Sequence, residues 1–182
     1  MQKKFIIRTA ILFILFACFA LLLQQQSHAL DAETDINNII NSAEQGDAKA
    51  QYDLGALYLS GRGVKQDDAE AAKWFRKAAE QGDAKAQFNF GVMYYEGRGV
   101  PQDDAEAVKW FHKAAEQGHA PAQSSLGAMY ALGRGVPKDY AEACSWFDLA
   151  LKAGYTDASE ARDCACKEVD TKCVDTHMKI QP

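Results

Sequence analysis

The chain has 182 residues, 48% of them hydrophobic, with 25 acidic against 20 basic side chains and a formal charge of −5. This composition excludes wholesale disorder and collagen-like structure. The acidic balance excludes nucleic acid as the main partner, because phosphate binding needs clustered Lys and Arg, and the length suits one domain with a buried core.

Residues 1–29 read as a signal peptide. Lys3, Lys4 and Arg8 form a basic start, an uncharged apolar run follows from Ala10 to Leu23, and Ser27 and Ala29 place small residues before a cut at Leu30. The run is short for a bilayer core of ~30 Å, which takes about 20 apolar residues. Extending it back to Phe5 brings Arg8 inside, so an N-terminal membrane anchor is the alternative. Cys18 belongs to the same segment. Cleavage removes three basic and no acidic residues and leaves no basic patch to hold anionic lipid. The expected location is periplasmic or secreted, with no membrane insertion after cleavage.

Residues 30–42 are expected to form an N-terminal capping helix. The next 108 residues repeat with a period of 36, as units 43–78, 79–114 and 115–150. The first two agree at 26 of 36 positions, and Trp74, Trp110 and Trp146 fall at one repeat position. A period in this range signals stacked supersecondary units. Each unit reads as two helices. Helix A is expected to begin at Asp47, Asp83 or His119, where an Asp caps the first-turn amides, and to run to about Tyr58, Tyr94 or Tyr130. The tract Gly61-Arg62-Gly63-Val64 and its repeats end it. Helix B is expected at Asp67, Asp103 or Asp139. Glu70, Glu106 or Glu142 stands three residues on, an Asp version of the capping box with the Glu reaching back. Ala71, Trp74, Phe75 and Ala78 then form an i, i+3, i+4, i+7 stripe toward the core.

Residues 151–182 are expected to hold a C-terminal capping helix and a cysteine-rich tail. The segment from Tyr155 to about Lys167 aligns with a further helix A, with Arg162 and Asp163 in place of its apolar residue and Gly. Such polar substitution suits a terminal repeat. Cys144, Cys164, Cys166 and Cys173 remain after export, and four thiols in an oxidising compartment imply two disulfides. Of three possible pairings, Cys144 with Cys164 or Cys166, and Cys173 with the other, is favoured because Cys144 lies beside the capping helix. The spacing lacks the paired Cys of common zinc sites, and no metal or cofactor is expected.

The unit GDAxAQxxLGxxYxxGRGVxxDxxEAxxWFxKAAEQ resembles the Sel-1-like repeat, a relative of the tetratricopeptide repeat, over residues 31 to about 167. The resemblance implies an all-α, right-handed α-α superhelix (solenoid) of three full 36-residue helix-pair repeats with capping helices. It also implies a protein-protein interaction scaffold or adaptor in the bacterial envelope or secreted from it. Other cysteine-rich relatives have been described as penicillin-binding proteins or β-lactamases, so a hydrolase of that type is the alternative. That chemistry usually needs Ser-x-x-Lys, and no serine of this chain has Lys three positions later. GxSxG, HExxH, P-loop and GxGxxG motifs are likewise missing, so no catalytic residue is assigned.

Variation between the copies divides helix A into two faces. Positions 51, 54, 55 and 58 keep their character and are expected to pack against neighbours, with Gly55, Gly91 and Gly127 allowing close approach. Positions 52, 53, 56, 59 and 60 change and cluster on the other side. By family analogy helix A lines the concave surface. A peptide-binding stripe is therefore expected at Tyr52, Leu59, Phe88, Val92 and Tyr95, which takes a peptide segment or small domain of another protein onto a monomer. The competing reading is that this stripe is core. The recurring Arg62, Arg98 and Arg134 are expected to anchor an adjacent helix or local carbonyls, and the tryptophans to act as core or inter-repeat spacers.

Overall fold

The computed structural model describes residues 34–166. The signal peptide and the tail with Cys173 lie outside the described residues. A helix over 34–44 (α1) precedes three helix pairs. These are α2 (Ala48–Ser60) with α3 (Asp68–Glu80), α4 (Ala84–Glu96) with α5 (Asp104–Glu116), and α6 (Ala120–Leu132) with α7 (Tyr140–Lys152). A 3-10 turn (Thr156–Ala158) and a short helix α8 (Ser159–Cys166) follow. Among the described residues there is no strand. The molecule is an all-α solenoid of paired helices with a capping helix at each end.

Local chemistry sets the boundaries of the first helix in each pair. Asp47 and Asp83 accept the amides of Ala50 and Ala86, each at 2.7 Å. An Asp cap of this kind stabilises by about 1 kcal/mol. The first helix of each pair runs two residues beyond its tyrosine and ends at Gly61, Gly97 or Gly133, with φ near +70°. Only glycine adopts that left-handed conformation at no steric cost.

The second helices show half of the expected capping box. Asp67 accepts from the amides of Ala69 and Glu70, both at 3.0 Å. Glu70 does not reach back, because the Asp67 amide already donates to the Tyr58 carbonyl at 3.0 Å, which ties the helix start to the preceding helix end. The acid turns outward instead: Glu70 pairs with Lys73, Glu106 with Lys109, and Glu142 accepts from the Trp146 indole.

Phe75, Phe111 and Phe147 are fully buried at equivalent positions. Burying each ring stabilises by about 1.5–3 kcal/mol. Each faces a glycine on the partner helix. A Cβ on Gly55 or Gly91 would stand 2.8 Å from the Phe75 or Phe111 ring, so glycine is what lets the pair close. The tryptophans are half-buried. Trp110 sets its edge on Phe90 at 5.2 Å between centroids and packs against the core of the preceding repeat, as spacers should.

The caps depart from the repeat. Ile39 and Ile40 of α1 pack toward Leu54 and Leu57. At the other end Tyr155 stands where Asp47 stands, and it makes no side-chain cap. The alignment with a full helix A therefore gives way to a 3-10 turn before α8. Among the described residues no helix is long and apolar enough to cross a membrane.

Candidate docking surface

The helix-A stripe divides between core and surface. Phe88 is 7% exposed and Val92 5%. Phe88 lies 5.7 Å from Phe111 and 5.0 Å from the His119 ring, filling the space between α4, α5 and α6. Tyr52, Leu59 and Tyr95 are half-buried. Tyr52 rests on Phe75 at 5.7 Å, and Tyr95 carries the Arg134 guanidinium 4.2 Å above its ring. Tyr52 and Leu59 thus reach the surface over the core around Phe75, and Tyr95 over the core that contains Phe88 and Val92. The variation at position 52 and its repeats is a change of packing volume as well as of surface.

Two ladders with a 30-residue step fix the register of the repeats, and they set the spacing of that surface. In the first, Arg98 grips both oxygens of Asp68, at 3.0 and 3.3 Å, and Arg134 both oxygens of Asp104, at 2.8 and 2.9 Å. A two-pronged guanidinium-carboxylate pair fixes angle as well as distance. The Asp68 hydrogen bond raises the pKa of Arg98. Burial lowers that of Arg134, but the hydrogen bond to Asp104 and the neighbouring Tyr95 more than offset it. In the sequence the aspartate position is taken by Ala32 one repeat earlier and by Tyr140 one repeat later. Arg98 and Arg134 therefore anchor the adjacent repeat as expected, whereas Arg62 is exposed.

In the second ladder Gln51, Gln87 and Gln123 are buried. Each donates its side-chain amide to a carbonyl eight residues earlier at 3.1 Å, at Ala43, Ala79 and Ala115. Gln81 and Gln117 then donate to the Oε1 of Gln51 and Gln87, both at 2.7 Å. The periodic AQ element carries this network in the sequence, and reading the Gln-to-Ala change at position 153 would have located its end.

The C-terminal cap is held differently. Cys144 of α7 and Cys166 of α8 form a disulfide with Cα atoms 5.1 Å apart, one of the two pairings favoured for Cys144. Cys164 is disulfide-bonded as well, and Cys173, its expected partner, lies outside the described residues. Arg162 adds an ion pair to Asp148 at 2.9 Å. Among the described residues no group of three His, Cys, Asp or Glu side chains could hold a metal ion.

His119 caps α6 in place of aspartate, with Nδ1 accepting the Ala122 amide at 3.3 Å. Burial, helped by the charge of Lys85, pushes its pKa below the ordinary value against the opposing pull of Asp83. The neutral ring is the form that can cap.

Comparisons with known proteins agree with this geometry. The Sel1 repeat matches three consecutive segments, residues 48–83, 84–119 and 120–155. These have the period found above, in a frame that begins at helix A. A Sel1 repeat protein from Oxalobacter formigenes is 39% identical, with a TM-score of 0.66, over 71% of this chain and 97% of that one. The protein c5321 is described as a protective antigen present in uropathogenic Escherichia coli strains and displaying an SLR fold. It is 37% identical, with a TM-score of 0.63, over 76% of this chain and 34% of that one. The Helicobacter pylori cysteine rich protein B shares the fold at 24% identity and a TM-score of 0.57, over 70% of this chain and 95% of that one. A comparison with curated proteins finds no match.

Proposed function

Because the chain belongs to the Sel1 repeat family, whose fold serves as a protein-interaction scaffold, we propose that it is an exported adaptor that docks a peptide segment or small domain of another protein on its helix-A face. The observation that carries this reading is the half-buried set Tyr52, Leu59 and Tyr95, on successive repeats whose spacing is fixed by the Arg-Asp and Gln-Gln ladders. Preorganised aromatic anchors dominate such interfaces. Phe88 and Val92 support Tyr95 from beneath, and Phe75 supports Tyr52 and Leu59. Export is supported by the N-terminal pattern of residues 1–29 and by the disulfides at Cys144 and Cys164. The alternative, a β-lactam hydrolase, has no Ser-x-x-Lys to carry it.

The test substitutes Tyr52 and Tyr95 by Ser and measures partner capture from intact cells beside the melting temperature. Loss of capture with an unchanged melting temperature supports the surface. Capture that persists, or falls only in step with unfolding, contradicts it. Nitrocefin turnover by the purified protein, lost on a single serine substitution, would favour the hydrolase.

A further inference from the structure

The interface of α7 with α8 is fastened differently from the equivalent interfaces before it. Between α3 and α4, Arg98 grips Asp68 and Gln87 donates to the Ala79 carbonyl. Between α5 and α6, Arg134 and Gln123 do the same to Asp104 and the Ala115 carbonyl. Neither device is repeated between α7 and α8. Tyr140 stands at the aspartate position, and Ser159 stands at the glutamine position with a side chain too short to span to the carbonyl. A covalent bond takes their place. Cys144 occupies the position of Val108 and Cys166 that of Tyr130, which share one apolar cluster in the interior. At the end of the solenoid the same two positions carry a disulfide.

That bond is open to attack. Cys166 is exposed and Cys144 half-buried, whereas Cys164, which is also disulfide-bonded, is 5% exposed. Exchange requires a thiolate to reach one of the two sulfurs, and exposed disulfides are the reducible ones. The Cys164 bond leads outside the described residues, so among the described residues Cys144–Cys166 is the covalent link from α8 to the repeats. Without it the cap keeps the solvated ion pair of Arg162 with Asp148, and the alanines 158, 161 and 165 against Phe147. A helix of eight residues does not persist once undocked.

We propose that the Cys144–Cys166 bond is a redox clasp, which a dithiol opens while the three helix pairs stay folded, releasing α8 and uncovering the α7 face around Phe147 and Leu151. One thiolate of the dithiol attacks the exposed Cys166 sulfur. A mixed disulfide forms there, the bond to Cys144 breaks, and Cys144 leaves as a thiolate that takes up a proton. The second thiolate of the reagent then attacks the reagent's own sulfur and displaces Cys166, which is protonated in turn. The dithiol departs as a cyclic disulfide, oxidised by two electrons, and the protein disulfide is reduced by the same two. The buried Cys164 sulfur is shielded from the same attack. The clasp is independent of the helix-A docking face.

The experiment equilibrates the purified, oxidised protein with graded dithiothreitol, alkylates the free thiols, maps them by peptide mass, and follows amide exchange in parallel. Cys144 and Cys166 are expected to be labelled together, at roughly tenfold less dithiothreitol than Cys164. At that concentration exchange rises over 156–166 while 84–116 keeps its protection, and reoxidation restores the cap. The monothiol glutathione is expected to leave its adduct on Cys166 with Cys144 free. The paired change Cys144→Ser and Cys166→Ser gives the exchange of the opened form without reductant and no further response to the low concentration. Labelling of Cys164 first or at the same concentration, an adduct on Cys144, a cap that stays protected after both cysteines are labelled, or loss of protection in 84–116 at that point overturns the proposal.

Discussion

Gln117 donates to Gln87 across 2.7 Å, linking two repeats, and at the same place one repeat later Ala153 leaves the buried Oε1 of Gln123 without a hydrogen-bond partner among the described residues. Ala153 has φ −80° and ψ 3°, against −82° and 3° at Gln117, so the backbone already holds the conformation the missing side chain needs. Leaving a buried acceptor unpaired costs about 1–3 kcal/mol, and pairing it recovers part of that. Ala153→Gln is expected to stabilise the protein by about 1 kcal/mol, a rise in melting temperature of about 3 °C. Calorimetry checks it, and Gln123→Ala in the same background should cancel the gain.

The Arg-Asp ladder carries an internal control. Arg134 grips Asp104, whereas the position that would serve Arg62 is Ala32. Arg134→Ala is expected to destabilise by about 1 kcal/mol. Arg62→Ala is expected to change stability by under about 0.5 kcal/mol. Chemical denaturation of the two variants compares them directly, and Arg134→Lys should restore little, because an ammonium cannot engage both oxygens.

His119 makes stability depend on pH. Its folded pKa lies below the ordinary histidine value of about 6.5. The unfolded chain therefore binds the proton more readily, and stability is lost as pH falls below about 6.5. The protonated ring cannot accept the Ala122 amide, so the physical loss is the cap of α6. His119→Asp, which copies Asp47 and Asp83, is expected to remove this component between pH 7.5 and 5. Melting temperatures of the two proteins across that range check it.

The Cys144–Cys166 bond closes a separation of 22 residues. A cross-link over that length stabilises by about 3 kcal/mol in the chain-entropy picture. Neither ladder continues to α8, so the bond carries more of the cap than any bond at the interior interfaces. The paired change Cys144→Ser and Cys166→Ser is expected to raise amide exchange first over 156–166, while α4 and α5 keep their protection. Hydrogen-exchange mass spectrometry resolves the two regions.

Much of this molecule is legible in one sequence because the chain states its pattern three times. The period, the capping aspartates, the glycines after helix A and the Ala71–Ala78 stripe all follow from local rules that the packing reinforces. The misreading of Glu70 arose where a tertiary bond, Asp67 to Tyr58, had taken the amide that the local motif offers. The stripe was harder to read for a different reason. Tyr52 rests on Phe75 and Phe88 is buried against Phe111, so variation at this position and its repeats does not by itself report exposure. Neither ladder is visible within one copy, since both join residues 30 apart and gain meaning only from their ends, at Ala32, Tyr140 and Ala153.

Site-specific photocrosslinking in intact cells tests the central claim most directly, with a photoreactive phenylalanine analogue placed in turn at Leu59, at Tyr95 and at the exposed Lys109. A docking face formed by helix A gives one discrete adduct of the same mass from positions 59 and 95 and none from 109. Adducts from 109 alone, or none from 59 and 95, would contradict it.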